Sequence, residues 1–213
     1  AVCVAAQGKL CLAYIFIVCG AVFDFFDGFT ARLLKVSNPI GKELDSLADV
    51  VTFGVAPAVM AQSALSSGLG YWSVLALLMA AFSALRLAKF NLDERQTSSF
   101  IGLATPANAI FWASLSCFVF SNASHISLWL HVFILAFTFL SCYLLVSEIP
   151  FFSLKMKRLD FREYRMQGLL LLLILVVAIV WSVVYVISGI WLPAGAVVIS
   201  LYILINLIVA VRR

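Results

Sequence analysis

The stretch FDFFDGFTARLLKVSNPIGKELDSLAD, Phe23 to Asp49, decides how this chain is read. It places four aspartates, Asp24, Asp27, Asp45 and Asp49, in a chain that is 64% hydrophobic. Charged residues make up only 11% of the sequence, less than half the usage of an ordinary soluble domain. Long runs of Leu, Ile, Val, Phe and Ala flank the stretch. A helix that crosses the hydrocarbon of a bilayer needs about 20 mostly apolar residues, and several runs reach that length. The pattern implies an all-α, polytopic integral membrane bundle. Ten-residue alternating segments, the mark of a membrane β-barrel, are absent from the sequence.

Working outward from this stretch, spans are expected near 10–33, 41–66, 71–90, 105–122, 127–148, 168–188 and 191–211. The apolar run Ala1–Ala6 is too short to span and has no charged leader before it, so the sequence is expected to begin partway through a first helix, giving about eight helices in all. Breaks fall where turn chemistry is strong, at Ser37-Asn38-Pro39, Ser66-Ser67-Gly68 and Ser188-Gly189. A single integral domain over 1–213 is the simplest partition, with its signature at 24–49 and two additional C-terminal helices over about 168–211. The segment 151–167, FFSLKMKRLDFREYRMQ, mixes aromatic and basic residues. It reads either as an amphipathic helix on an anionic lipid surface or as a plain loop.

The basic residues orient the bundle. Thirteen of the fourteen Lys and Arg residues fall on one side of these spans, and only Lys9 falls on the other. The positive-inside rule makes the rich side cytoplasmic, with both termini facing it. The net charge of +4 is therefore topological and calls for no nucleic acid. All four aspartates cluster at the cytoplasmic boundary. His125 and His131 fall on the far side and are expected to take no part in catalysis. Cys3, Cys11, Cys19, Cys117 and Cys142 lie in apolar stretches without a CxxC pair and are expected to be small buried hydrophobes.

At about 100° per residue, Asp24, Asp27, Gly28 and Ala31 share one helical face, and Gly41, Asp45 and Asp49 share another. Two helices joined by a short loop bring those faces together. Four converging carboxylates repel unless a hard cation joins them, and all-oxygen ligation suits Mg²⁺, Mn²⁺ or Ca²⁺. Two ions fit four carboxylates better than one. Gly28, Ala31 and Gly41 leave room on the acidic face, and Arg32 offers a planar fork to a phosphate. Together these residues point to a nucleotide diphosphate. The rival class, a cation or proton transporter, accounts for the acids but not for Gly28, Ala31, Arg32 and Gly41.

The stretch also resembles the signature of the CDP-alcohol phosphotransferases, D-x2-D-G-x2-A-R-x8-G-x3-D-x3-D. All eight fixed positions are filled: Asp24, Asp27, Gly28, Ala31, Arg32, Gly41, Asp45 and Asp49. Four further segments are similar to the phosphatidylserine synthase branch: LDSLADVVTFGVAPA (44–58), ALRLAKFN (84–91), FIGLATPANA (100–109) and SEIPFFSLK (147–155). The likeness covers most of the chain from about residue 10. It implies transfer of a phosphatidyl group from CDP-diacylglycerol to the hydroxyl of L-serine, giving phosphatidylserine and CMP. The same motif would serve glycerol phosphate, inositol or inositol phosphate as acceptor. By the resemblance, Asp24, Asp27, Asp45 and Asp49 hold Mg²⁺ or Mn²⁺, Asp49 also acts as general base, and Gly28, Ala31, Arg32 and Gly41 face the nucleotide. It further implies a homodimer, and a first helix whose cytoplasmic start helps bind the nucleotide. Arg86, Lys89 and Lys155, near the cytoplasmic face, are the candidates for holding the serine carboxylate. Asn108 and Glu148 either line that pocket or serve helix contacts, and Thr105-Pro106 is expected to shape a helix start.

Overall fold

The computed structural model describes residues 1–34, 39–92, 100–151 and 194–211. A short helix α1 (Val2–Ala6) ends in a tight reversal. Gly8 adopts φ 75°, its N–H bonds to the Ala5 carbonyl, and the Lys9 N–H bonds back to the Val4 carbonyl. This paired pattern is the Schellman stop, which needs a left-handed residue at the position Gly8 fills. Helix α2 (Leu10–Leu34) then carries Asp24 and Asp27. Its inner stripe, Leu10, Ala13 and Ile17, is buried, while Ile15, Phe16 and Phe23 stay exposed. Residues 35–38, the expected loop, lie outside the described residues.

Helix α3 (Pro39–Asp49) opens on a proline, whose missing N–H costs nothing at a helix start. It runs without a break into a π-helical segment, Val50–Val55, and then helix α4 (Ala56–Leu69). A 3₁₀ segment (Gly70–Leu77) and helix α5 (Leu78–Leu92) follow. The apolar stretch Glu43–Leu92 is 50 residues long. As one straight helix it would measure about 75 Å, more than twice the hydrocarbon thickness. It folds back at Gly70, which takes φ 50°. The two legs lie antiparallel: the Asn91 amide donates to Ser46 Oγ at 2.9 Å, and Gly54 abuts Ser83. The expected spans 41–66 and 71–90 are these legs, with ends at Leu69 and Leu92 rather than at 66 and 90.

Helix α6 (Thr105–Ser121) is buried on nearly every side, from Thr105 and Asn108 through Trp112 to Val119. It sits in the centre of the bundle, against α2, α4 and helix α8 (Ala194–Val211). Helix α7 (Leu128–Val146) packs on α5 and α4. Lipid offers little drive for helices to associate, so small side chains and hydrogen bonds carry the contacts. Ala109 and Ala113 of α6 are fully buried. Trp112 Nε1 donates to Ser141 Oγ at 2.9 Å, and Ser141 donates to Asn108 Oδ1. This chain ties α6 to α7.

Two short strands qualify the all-α expectation. β1 (Phe100–Ile101) pairs antiparallel with β2 (Pro150–Phe151), Phe100 opposite Phe151 and Ile101 opposite Pro150. They close the end of the bundle where α6 starts and α7 stops. Gly102, at φ 77°, passes so near α7 that a Cβ there would stand 2.8 Å from the Leu145 carbonyl oxygen. Its N–H bonds to Ile149, and that of Leu103 bonds to Leu144.

Among the described residues, three helical stretches are long and apolar enough to cross a membrane: Leu10–Gly28, Glu43–Leu92 and Leu128–Val146. The chain is thus a helical integral membrane protein. The expected helix at 168–188, and all of the 151–167 segment but Phe151, lie outside the described residues. The cysteines only partly meet expectation. Cys117 and Cys142 are buried, but Cys3 and Cys19 are exposed, because they lie on the outward faces of α1 and α2.

Candidate active site

The aspartates gather where the C-terminal half of α2 faces α3. A carboxylate oxygen from each of Asp24, Asp45 and Asp49 lies within 4.8 Å of the other two. Asp24 and Asp49 are half-buried and Asp45 is exposed. The expected cluster of four is therefore a tight group of three with Asp27 at its edge. Asp27 is exposed, yet its charge acts on Asp24, Asp45 and Asp49. Three carboxylates this close form an all-oxygen donor set that suits a hard divalent cation. The histidines lie elsewhere. His131 is buried at the opposite end, its ring within 3.1 Å of the Ser127 carbonyl oxygen and 3.4 Å of Ser67 Oγ.

Among the described residues, a Cβ added at Gly28 would meet nothing within 4 Å. Gly41 is exposed on α3. Ala31 and Arg32 fall in the last turn of α2, and their side chains lie outside the described residues.

Arg86 is a cation whose charge acts on Asp49 of the cluster. It is only 6% exposed. Nη1 donates to Thr105 Oγ1 at 2.6 Å, and the guanidinium stands 5.5 Å from the Phe90 ring centroid. Its Nε is buried without a hydrogen-bond partner among the described residues, and Asp49 and Tyr202 lie within electrostatic reach. A buried donor left unpaired normally costs about 1–3 kcal/mol. Lys89 is exposed and Lys155 lies outside the described residues. Asn108 is taken up by Ser141 and Met79, so it serves a helix contact, and Glu148 is exposed. Thr105 does more than shape a helix start, because it holds Arg86. Nothing local signals that role, since 19 residues separate the pair.

The fold and this acidic site define a helical membrane protein with a carboxylate cluster at one end of its bundle. Residues 1–140 match the CDP-alcohol phosphatidyltransferase family, and the chain belongs to that family. It is 44% identical over 95 residues to a CDP-diacylglycerol–serine O-phosphatidyltransferase of Bacillus subtilis, covering 44% of this chain and 54% of that protein. It is 34% identical over 124 residues to one of Helicobacter pylori, covering 57% and 52%. A third, of Methanocaldococcus jannaschii, is 42% identical over 89 residues, 42% of each chain. The chain spans about half the length of the first two of these curated relatives.

Proposed function

We propose that the chain transfers a phosphatidyl group from CDP-diacylglycerol to the hydroxyl of L-serine. The observation that carries this reading is the convergence of Asp24, Asp45 and Asp49 in a chain of this family. The serine relatives supply the acceptor.

In this reading Asp24, Asp27, Asp45 and Asp49 hold Mg²⁺ or Mn²⁺, two ions in all. When bound, the ions neutralise charge on the diphosphate and on the departing CMP. The open face at Gly28, with Ala31, Arg32 and Gly41, receives the cytidine and diphosphate. Arg86, fixed by Thr105, takes the serine carboxylate, with Nε the donor that has no partner among the described residues. Lys89 and Lys155 are the further candidates for that task. Asp49 accepts the hydroxyl proton as serine oxygen attacks the phosphorus bearing diacylglycerol. A bond forms from that oxygen to phosphorus, the phosphorus–oxygen bond to CMP breaks, and CMP carries off the electron pair. The base needs only hydrogen-bond reach of the hydroxyl.

The boundary position suits both substrates. Serine and nucleotide arrive from water, while the acyl chains stay in lipid. The distribution of Lys and Arg favours a cytoplasmic water side in a cell membrane, and the resemblance favours a homodimer of about eight-helix chains as the working unit. A transporter reading leaves the open face at Gly28 without a use.

An acceptor screen tests the proposal. Purified protein with labelled CDP-diacylglycerol and Mn²⁺ is offered serine, inositol, inositol phosphate and glycerol phosphate in turn. Phosphatidylserine as the dominant product supports it. A phosphorylated acceptor taken in preference overturns the serine assignment but keeps the chemistry.

A further inference from the structure

The segment Val50–Val55 is π-helical and begins at the residue after Asp49. The Ala56 N–H bonds to the Val51 carbonyl, five residues back rather than four. A π turn absorbs one residue more than an α turn and shifts the phase of all that follows by about 100°. In unbroken α-helix, Pro57, in the middle of the buried stripe of α4, would stand about 120° around the axis from Asp45. The extra residue reduces that offset to about 20°. The carboxylate face of α3, which meets Asp24 of α2, and the buried stripe of α4 (Pro57, Ala61 and Ala64) therefore point the same way.

Two glycines lock this segment in place. A Cβ on Gly20 would stand 2.8 Å from Thr52 Cγ2, and one on Gly54 would stand 3.1 Å from Ser83 Cβ. Gly20 lies one turn before Asp24 on the same face of α2. Its contact with Thr52 sets how closely α2 approaches the π segment just beneath the carboxylates. Phe53, 1% exposed, anchors the segment in the core.

We infer that the π segment, seated on Gly20 and Gly54, is the positioning device that turns Asp45 and Asp49 toward Asp24. The inference rests on the proposal that these aspartates hold a divalent ion. Gly20, Thr52 and Gly54 are positioning residues, outside the acidic cluster itself.

The test reads Mn²⁺ binding by electron paramagnetic resonance, with no substrate present. Deleting Val51, an exposed residue, closes the ladder to α-helix and swings the carboxylates apart. Gly20→Ala is expected to weaken Mn²⁺ binding about tenfold or more, the usual scale for groups that orient metal ligands. Thr52→Ser removes the methyl that the new Cβ would strike, so adding it to Gly20→Ala should restore binding. Thermal unfolding of each purified variant establishes that it is folded. If the deletion does not fold, the Gly20 pair decides. Folded variants that bind Mn²⁺ within about twofold of wild type, or a Gly20→Ala loss that Thr52→Ser leaves unchanged, overturn the inference alone. Wild-type protein that binds no Mn²⁺ overturns the metal reading and this inference with it.

Discussion

In the proposed mechanism Asp49 has two tasks, ligand and base, and its replacement separates these roles from a structural one. Asp49→Asn keeps the shape and removes the charge. Serine-dependent CMP release should fall by about 10²–10⁴, the range lost with a general base, while thermal unfolding stays close to wild type. Arg86 gives a contrasting signature. Arg86→Gln removes the charge offered to the acceptor carboxylate, so KM for serine should rise about 10–100-fold, as for a lost hydrogen bond between charged groups, with a smaller change in kcat. Thr105→Val, which strips the acceptor from Arg86 Nη1, should move KM in the same direction by less. A serine KM unchanged in both variants would remove Arg86 from the acceptor pocket. At this scale the aspartates were readable because their spacing matches the helical period and brings Asp24, Asp45 and Asp49 together. The Arg86–Thr105 bond was not, because it joins helices that sequence spacing cannot align.

Among the elements, Gly102 is the most exacting position. Its φ of 77° and its 2.8 Å approach to the Leu145 oxygen exclude a side chain without movement. Gly102→Ala should destabilise the protein by at least about 1–2 kcal/mol, the cost of left-handed backbone alone, read as a lower unfolding temperature. Trp112→Phe, which keeps an aromatic ring and deletes the donor to Ser141, should cost about 0.6–1.7 kcal/mol for the lost bond, as hydrogen bonds between membrane helices do. The helices α2, α6 and α7 were legible from apolar length alone. The strand pair was not, because two-residue pairings between 100–101 and 150–151 leave no periodic trace. The π segment escaped notice too: VVTFGV is apolar and carries no proline or turn pair. The sequence ties the segments 84–91, 100–109 and 147–155 together by resemblance alone and does not show how they meet in space. The fold joins 84–91 to 100–109 through Arg86 and Thr105, and 100–109 to 147–155 through the strands.

For the whole molecule, charge asymmetry and fold agree on which end carries the site. Lys9, Gly70 and the 122–127 loop fall at one end, and the acidic cluster and the strand pair fall at the other. Single cysteines placed at Lys9 and Tyr71, with the five native cysteines replaced, should react with an impermeant maleimide from outside intact cells. One at Glu148 should react only from the cytoplasmic side. Labelling of all three from one side would break the topology. The central claim, that the aspartate cluster is a metal-dependent transfer site, is tested most directly by CMP release from CDP-diacylglycerol with purified protein, before and after chelation. The account predicts release that needs serine, stops on chelation, returns with Mg²⁺ or Mn²⁺, and is lost in Asp49→Asn. Release that survives chelation, or that Asp49→Asn leaves intact, would contradict it.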